Sequence, residues 1–409
     1  MTESNRGVGT SRFSPYTAVA STILAALLLF LTPIGTAAQV LAVHDEGTMS
    51  PEAVDRFIAP LFEGFDAPGA VTAVSVRELR IRSEYPDGTP TDVRVQVFVP
   101  EISPDEVTGV YLFAPGSTGL IGPCRASREH LAGIRWGLYR AHVLAFSGQG
   151  LIGILPDYIG FEDNYQVQPY FHAQSEARII FDSFQAVHRW LPAEYSRFHR
   201  GLTPFTRVAG GFSQGGHAAF AAADYNRSLG APLPLHGVIG YGPTAEIPPL
   251  LLTFPSLAPM MLEAFRTVYG EDLVIPGEVL RSPWAEQLTH DTTRQCVGGI
   301  QSYYPGDPAT LFTESFYTSL HAGTLDQTHP QIAGIFRENA AGLTSHGVPA
   351  LILQGTDDIV IHHNTQEDYV AALRSLGNPV DYRLYRDERH DTRQRAFPDV
   401  LEWIENLRR

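Results

Sequence analysis

Between residues 76 and 100 apolar and polar positions alternate along the chain. In TDVRVQVFVP, Val93, Val95, Val97 and Val99 fall on one side of an extended backbone, while Asp92, Arg94 and Gln96 fall on the other. Period two is the repeat of a strand with one face against a core. The preceding run VRELRIRSE has the same character, and Pro86-Asp87-Gly88 between the two is a turn sequence. The pair predicts an antiparallel hairpin.

Further on the pattern changes. Short apolar runs (GVYLFAP, LIGILP, TRVAGGF, LHGVIGYGP, PALILQ and VDYRLY) are separated by stretches with helical spacing. The helical stretches are REHLAGIRWGLYRAHVLAF, SEARIIFDSFQAVHRWL, HAAFAAADYNRSL, EDYVAALRSLG and FPDVLEWIENLRR. Apolar strands alternating with helices predict a mostly parallel central sheet flanked by helices on both faces, an α/β fold. The hairpin then adds antiparallel strands at one edge.

The rhythm fails between residues 245 and 345. IPPLLLTFPSLAPMMLEAFRTVYG is apolar, rich in proline and helical in period, and no clear strand returns before PALILQ. About a hundred residues exceed any plain connection, so the segment reads as an inserted helical cap or lid. The expected organisation is 39–244 and 346–409 as two parts of one core, with 245–345 between them.

Residues 1–38 stand apart. Arg6 and Arg12 precede the apolar run AVASTILAALLLFL, and small residues follow at Thr36, Ala37 and Ala38. A basic start, an apolar stretch and a small-residue site make an export signal. The competing reading is an uncleaved membrane anchor, for which the run before Pro33 is short. The formal net charge of -15 argues against a nucleic-acid binder, which needs a basic face. Cys124 and Cys296 are the only two cysteines. An even count in an exported chain suggests one disulfide, the alternative being two buried free thiols.

The candidate chemistry centres on Gly211-Phe212-Ser213-Gln214-Gly215, which follows an apolar strand and opens a helix of small residues. A G-x-S-x-G sequence alone recurs by chance. In this setting it predicts a strained strand-to-helix turn that lifts a serine hydroxyl above the sheet edge. An acid and a base follow in the order that such a turn requires. GTDDIVI places an aspartate beyond a strand end, Asp358 being favoured over Asp357, and His390 follows the last strand, with His362 and His363 as rivals. An imidazole there can accept the serine proton, and the carboxylate can fix its tautomer. The oxyanion of an acyl-transfer intermediate needs two backbone N–H donors. Gln214 is the first candidate, and the GSTG loop after LFAP supplies the second, Ser117 ahead of Thr118.

Other polar residues read as structural: Asp157 at a strand end, Asp182 and His188 on a helix, His217 in the elbow helix, and Asp391 as a solvated helix-start residue. HExxH, P-loop and dinucleotide-binding patterns are absent, so neither a metal nor a cofactor is expected.

Taken together, GGFSQGG, ILPDYIGF, GTDDIVI and RHD resemble the α/β-hydrolase superfamily, and within it the secretory lipases of fungi and actinobacteria, the lipase A-like group. The resemblance covers most of the chain after residue 70. It implies Ser213, Asp358 and His390 as a triad, with Gln214 and the GSTG loop as the oxyanion region. Pro115 stands where that group has a histidine before the loop. Cys124 follows the loop as the group's cysteine does, which implies a bridge to Cys296 in the insertion.

The function expected on this basis is a secreted carboxylic-ester hydrolase, a lipase or esterase, acting on a small-molecule or lipid ester. The cap could touch a lipid surface. Two alternatives stand beside it: a serine peptidase of prolyl-oligopeptidase type, and a non-catalytic binding protein on a hydrolase scaffold. No propeller-like region supports the first, and the complete set of triad residue types weighs against the second.

Overall fold

The structure, a computed structural model, describes residues 38–163 and 166–408. The export signal read in residues 1–38 therefore lies, except for Ala38, outside the described residues. Ala38 is fully buried and donates its N–H to the Arg82 carbonyl at 2.7 Å, so the packed chain already includes it.

Among the described residues nine strands form one sheet: β1 (Val40–Met49), β2 (Val74–Glu84), β3 (Pro90–Pro100), β4 (Gly109–Ala114), β5 (Leu151–Pro156), β6 (Arg207–Phe212), β7 (Gly237–Tyr241), β8 (Ala350–Gly355) and β9 (Val380–Tyr385). Their spatial order is β1-β2-β3-β5-β4-β6-β7-β8-β9. β1, β2, β3 and β5 pair antiparallel, and every pair from β5 to β9 is parallel.

Every residue of β4, β5, β7 and β8 is buried, as expected where helices cover both faces of parallel strands. On one face lie helices Ala173–Glu194, Gln214–Asp224 and His363–Ser375, packed on the sheet through Ile180, Phe184, Phe220 and Leu373. On the other lie Pro51–Ile58, Tyr139–Gly148 and Phe397–Leu407, through Val54, Phe146, Phe397 and Ile404.

The hairpin forms as its pattern predicts. β2 and β3 pair from Val74↔Pro100 to Glu84↔Pro90. The turn is closed by the Gly88 N–H to the Tyr85 carbonyl at 2.9 Å. It is not the edge, however. β1, which the apolar pattern does not predict, pairs outside it. Two helices also differ from the sequence reading. The stretch 128–146, read as one helix, breaks into Glu129–Ala132 and Tyr139–Gly148, because Gly133 turns left-handed (φ 67°) and the Glu129 carboxylate takes the N–H groups of Gly137, Leu138 and Tyr139. The elbow helix ends at Asp224, short of Leu229.

Between β7 and β8 the chain runs through helices from Ile247–Thr253 to Pro330–Glu338. These build an apolar cluster of their own, including Leu250, Met260, Phe265, Phe312, Phe316 and Phe336. Leu120, Tyr170 and Phe171, from loops outside the insertion, join this cluster and attach it to the sheet's upper edge.

Candidate active site

The loops after β4, β6, β8 and β9 leave the sheet at the carboxyl ends of parallel strands, the edge where open α/β sheets place ligands. The elbow after β6 has the expected strain. Ser213 sits at φ 54°, ψ -113°, a left-handed backbone that non-glycine residues rarely adopt. Its N–H donates to the Tyr241 carbonyl at 3.0 Å, and its own carbonyl accepts from the Gly216 N–H at 2.9 Å. These bonds hold the turn between β7 and the helix below. Gly215 is required by packing: a Cβ there would overlap the Ala114 carbonyl at the end of β4. The loop after β4 thus rests directly on the elbow. A Cβ at Gly116 would likewise meet the Phe212 ring at 2.8 Å. Ser213 is 9% exposed.

The loops that carry Asp358 and His390 converge on the same turn. The Asp358 carboxylate lies 2.8 Å from His390 Nδ1. The same oxygen accepts from Gln354 Nε2 at 3.0 Å, and the other accepts from the backbone N–H groups of Val360 (2.8 Å) and Ile361 (2.9 Å). Burial pushes the Asp358 carboxyl upward. The bond and charge of His390, aided by the two backbone N–H groups, outweigh that and hold it below its ordinary value. Asp358 is the aspartate that reaches His390. Asp357 instead turns outward, accepting from the Thr356 hydroxyl at 2.9 Å.

The imidazole of His390 packs against the Phe212 ring, centroids 4.9 Å apart, and a Cβ on Gly242 would meet its Nδ1 at 2.9 Å. Both neighbours are adjacent to the Ser213 turn. Nε2, the nitrogen facing away from Asp358, is buried and makes no hydrogen bond to a described residue. The Ser213 to His390 hydrogen bond is therefore not made in this conformation, while the Asp358 to His390 bond is. Such bonds often tighten only with substrate bound. His362 and His363 line a pocket of about 570 Å³ with Thr356, Asp358 and Arg389, on the outer side of the acid loop.

Of the candidate oxyanion donors, Gln214 is the first residue of its helix, so its N–H has no intrahelical acceptor. Ser117 directs its hydroxyl to the Tyr170 hydroxyl at 2.6 Å. Thr118 is buried, and its carbonyl accepts from the Val297 N–H at 2.8 Å. Gly119 forms an isolated bridge with Cys296, and a disulfide joins Cys124 to Cys296. The loop is therefore clamped to the insertion twice. Where the lipase A-like pattern has a histidine, the Pro115 carbonyl accepts from the Tyr158 hydroxyl at 2.7 Å.

The remaining polar residues fall into structural places. Asp157 accepts from Ser127 N–H (2.9 Å) and hydroxyl (2.5 Å), and burial raises its carboxyl to about 6. Asp182 is buried, accepting from the Ser83 hydroxyl at 2.7 Å. His188 Nδ1 faces the Leu202 N–H at 3.0 Å. Asp391 departs from its reading as a solvated helix-start residue. It pairs with the fully buried Arg393 at 2.6 Å, and the helix begins only at Phe397. The Arg393 guanidinium lies 4.9 Å over the Phe212 ring, bracing the residue before the serine. Nothing in the spacing of the sequence marks Arg393, and the same holds for Glu176 beneath the elbow.

A cavity of about 780 Å³ lies elsewhere, between the insertion and the far end of the elbow helix, lined by Asp224, Tyr225, Leu320 and Phe336. Ser213 is not among its lining residues.

In sequence, no family model and no curated protein matches the chain. In structure the likeness is broad. The rice cell wall degrading esterase LipA from Xanthomonas oryzae superposes with a TM-score of 0.71 at 17% identity, covering 90% of this chain and 96% of that one. Candida antarctica lipase A in its closed state gives a TM-score of 0.65 at 15% identity, covering 92% and 84%. With its central sheet, flanking helices, helical insert and serine elbow, the chain has the α/β-hydrolase fold that these lipases and esterases share.

Proposed function

We propose that the chain is a serine-dependent carboxylic-ester hydrolase of the lipase A-like kind, exported by the signal read in residues 1–38. In this reading Ser213 is the nucleophile, His390 the general base and Asp358 the residue that orients it. Ser213 Oγ attacks the ester carbonyl as His390 Nε2 takes its proton. The imidazolium, held by Asp358, returns that proton to the leaving alcohol. Water activated by the same nitrogen then cleaves the acyl-enzyme. The Gln214 N–H, with that of Ser117 or Thr118, receives the oxyanion. Residues 245–345 act as a cap that shapes the acyl site, between core segments 39–244 and 346–409.

The observation that carries this reading is the Asp358–His390 bond at 2.8 Å, with the opposite ring nitrogen unpartnered beside the strained Ser213 turn. Export agrees with the Cys124–Cys296 disulfide, which suits an oxidising compartment. The test is hydrolysis of nitrophenyl esters of increasing acyl length by the wild type and by Ser213→Ala. The variant should lose turnover by roughly 10⁴-fold or more while melting at the wild-type temperature. Turnover of peptide amides without ester turnover would favour the peptidase, and unchanged ester turnover in the variant would end the proposal.

A further inference from the structure

Beneath the elbow lies a buried polar cluster in which Glu176, from helix Ala173–Glu194, is 1% exposed. Its Oε1 accepts from Gln214 Nε2 at 2.8 Å and from the Phe171 N–H at 3.1 Å, and its Oε2 lies 2.5 Å from His217 Nδ1. The other nitrogen of His217, Nε2, lies 2.6 Å from the Asn339 backbone carbonyl. A carbonyl only accepts, so Nε2 carries a proton. A second proton lies between Nδ1 and the carboxylate.

Asn339 is buried at the end of the insertion's last helix, where its side chain accepts from the Ala173 N–H at 2.9 Å and donates to the Tyr269 hydroxyl at 2.7 Å. A single carboxylate thus grips the side chain of Gln214 and, through His217, the exit of the insertion. A polar network this deep in the core is costly unless its members are paired, and here the carboxylate has three donors or shared protons.

We infer that Glu176 is a positioning residue for the oxyanion site. Resting on the reading of Gln214 as an N–H donor, the inference assigns Glu176 the task of holding that residue in register with Ser213. It also makes the donor's position depend on how the insertion is seated. Among the described residues the Gln214 side chain makes no other hydrogen bond, its Oε1 being buried without a partner. Among them the Glu176 contact is therefore its only polar anchor.

The test uses full-length Glu176→Ala, Gln214→Ala and the double variant on one nitrophenyl ester, with Glu176→Gln as the conservative control. Gln214→Ala keeps the backbone N–H and removes only the anchor. Each single alanine variant should lower kcat about ten-fold or more, with KM changed less than about three-fold, because an oxyanion donor acts in the transition state. The double variant should fall little further than either single one, since both break the same contact. Glu176→Gln, whose amide oxygen can still accept from Gln214, should keep more of kcat than Glu176→Ala. Variants that melt earlier but keep kcat would overturn the inference, as would effects that multiply. A failure of the serine proposal itself would show separately, as turnover surviving in Ser213→Ala.

Discussion

The two sides of Ser213 are built differently. The proposed acid-base side stands on the sheet. Asp358 and His390 sit on the loops after neighbouring strands β8 and β9, and the carboxylate is held by backbone N–H groups of its own loop. The proposed oxyanion side leans on the insertion. Its loop is joined to residues 296 and 297 by a disulfide and a backbone bridge, and Gln214 is anchored through Glu176 and His217 to Asn339. The difference teaches that proton transfer should be robust to changes in the insertion, whereas charge stabilisation should follow it.

That contrast can be broken most sharply on the acid-base side. Asp358→Asn should lower kcat by about 10⁴-fold, because the imidazole loses the acceptor that fixes its tautomer. Steady-state kinetics would show it, and a loss of less than ten-fold would remove Asp358 from the mechanism.

A smaller effect is expected from opening the clamp on the other side. Replacing Cys124 and Cys296 together by serine should cost about 2–5 kcal/mol of stability. It should also reduce kcat roughly ten-fold or more, through displacement of the loop that carries Ser117 and Thr118. Calorimetry and kinetics read the two effects. If stability falls while kcat holds, the oxyanion loop is positioned by the sheet alone and the contrast fails.

The smallest effect is in the pH dependence of stability. The Asp358 carboxyl is held below its ordinary value in the fold. Its stabilising contribution is thus present above the unfolded value, about 3.9, and is lost as pH falls through the lowered folded value. The melting-temperature gap between wild type and Asp358→Asn should be widest near neutral pH and close below about pH 3.9. A gap that widens on acidification would contradict the assigned direction.

Much of this was legible before the coordinates. The hairpin, the parallel strands and the insertion followed from apolar spacing, because a strand buried on both faces and a strand buried on one face leave different patterns. Asp358 was favoured over Asp357 by its spacing after Gly355, and its carboxylate is the one that lies beside His390.

Where the reading failed, the cause lay in tertiary partners. β1 has mostly exposed or half-exposed side chains and owes its existence to the open edge of β2. The break after Ala132 depends on the Glu129 carboxylate gathering three N–H groups from residues 137–139. Arg393 and Glu176 are buried charges, and a buried charge makes no periodic mark. Glu176 meets partners 38 and 41 residues away. Asp391 looked like a surface residue for the same reason, since its pairing with Arg393 follows from the burial of Arg393 against Phe212 and Tyr139.

The central claim is that Ser213 attacks an acyl carbon. Its most direct measurement is intact-mass and peptide mapping after exposure to an activated alkyl phosphonate ester, which traps serine nucleophiles as a stable adduct. The account predicts one adduct, on Ser213, formed in step with loss of ester turnover and absent from Ser213→Ala. Complete loss of turnover with the adduct on another residue, or an unlabelled Ser213 in an active enzyme, would contradict it.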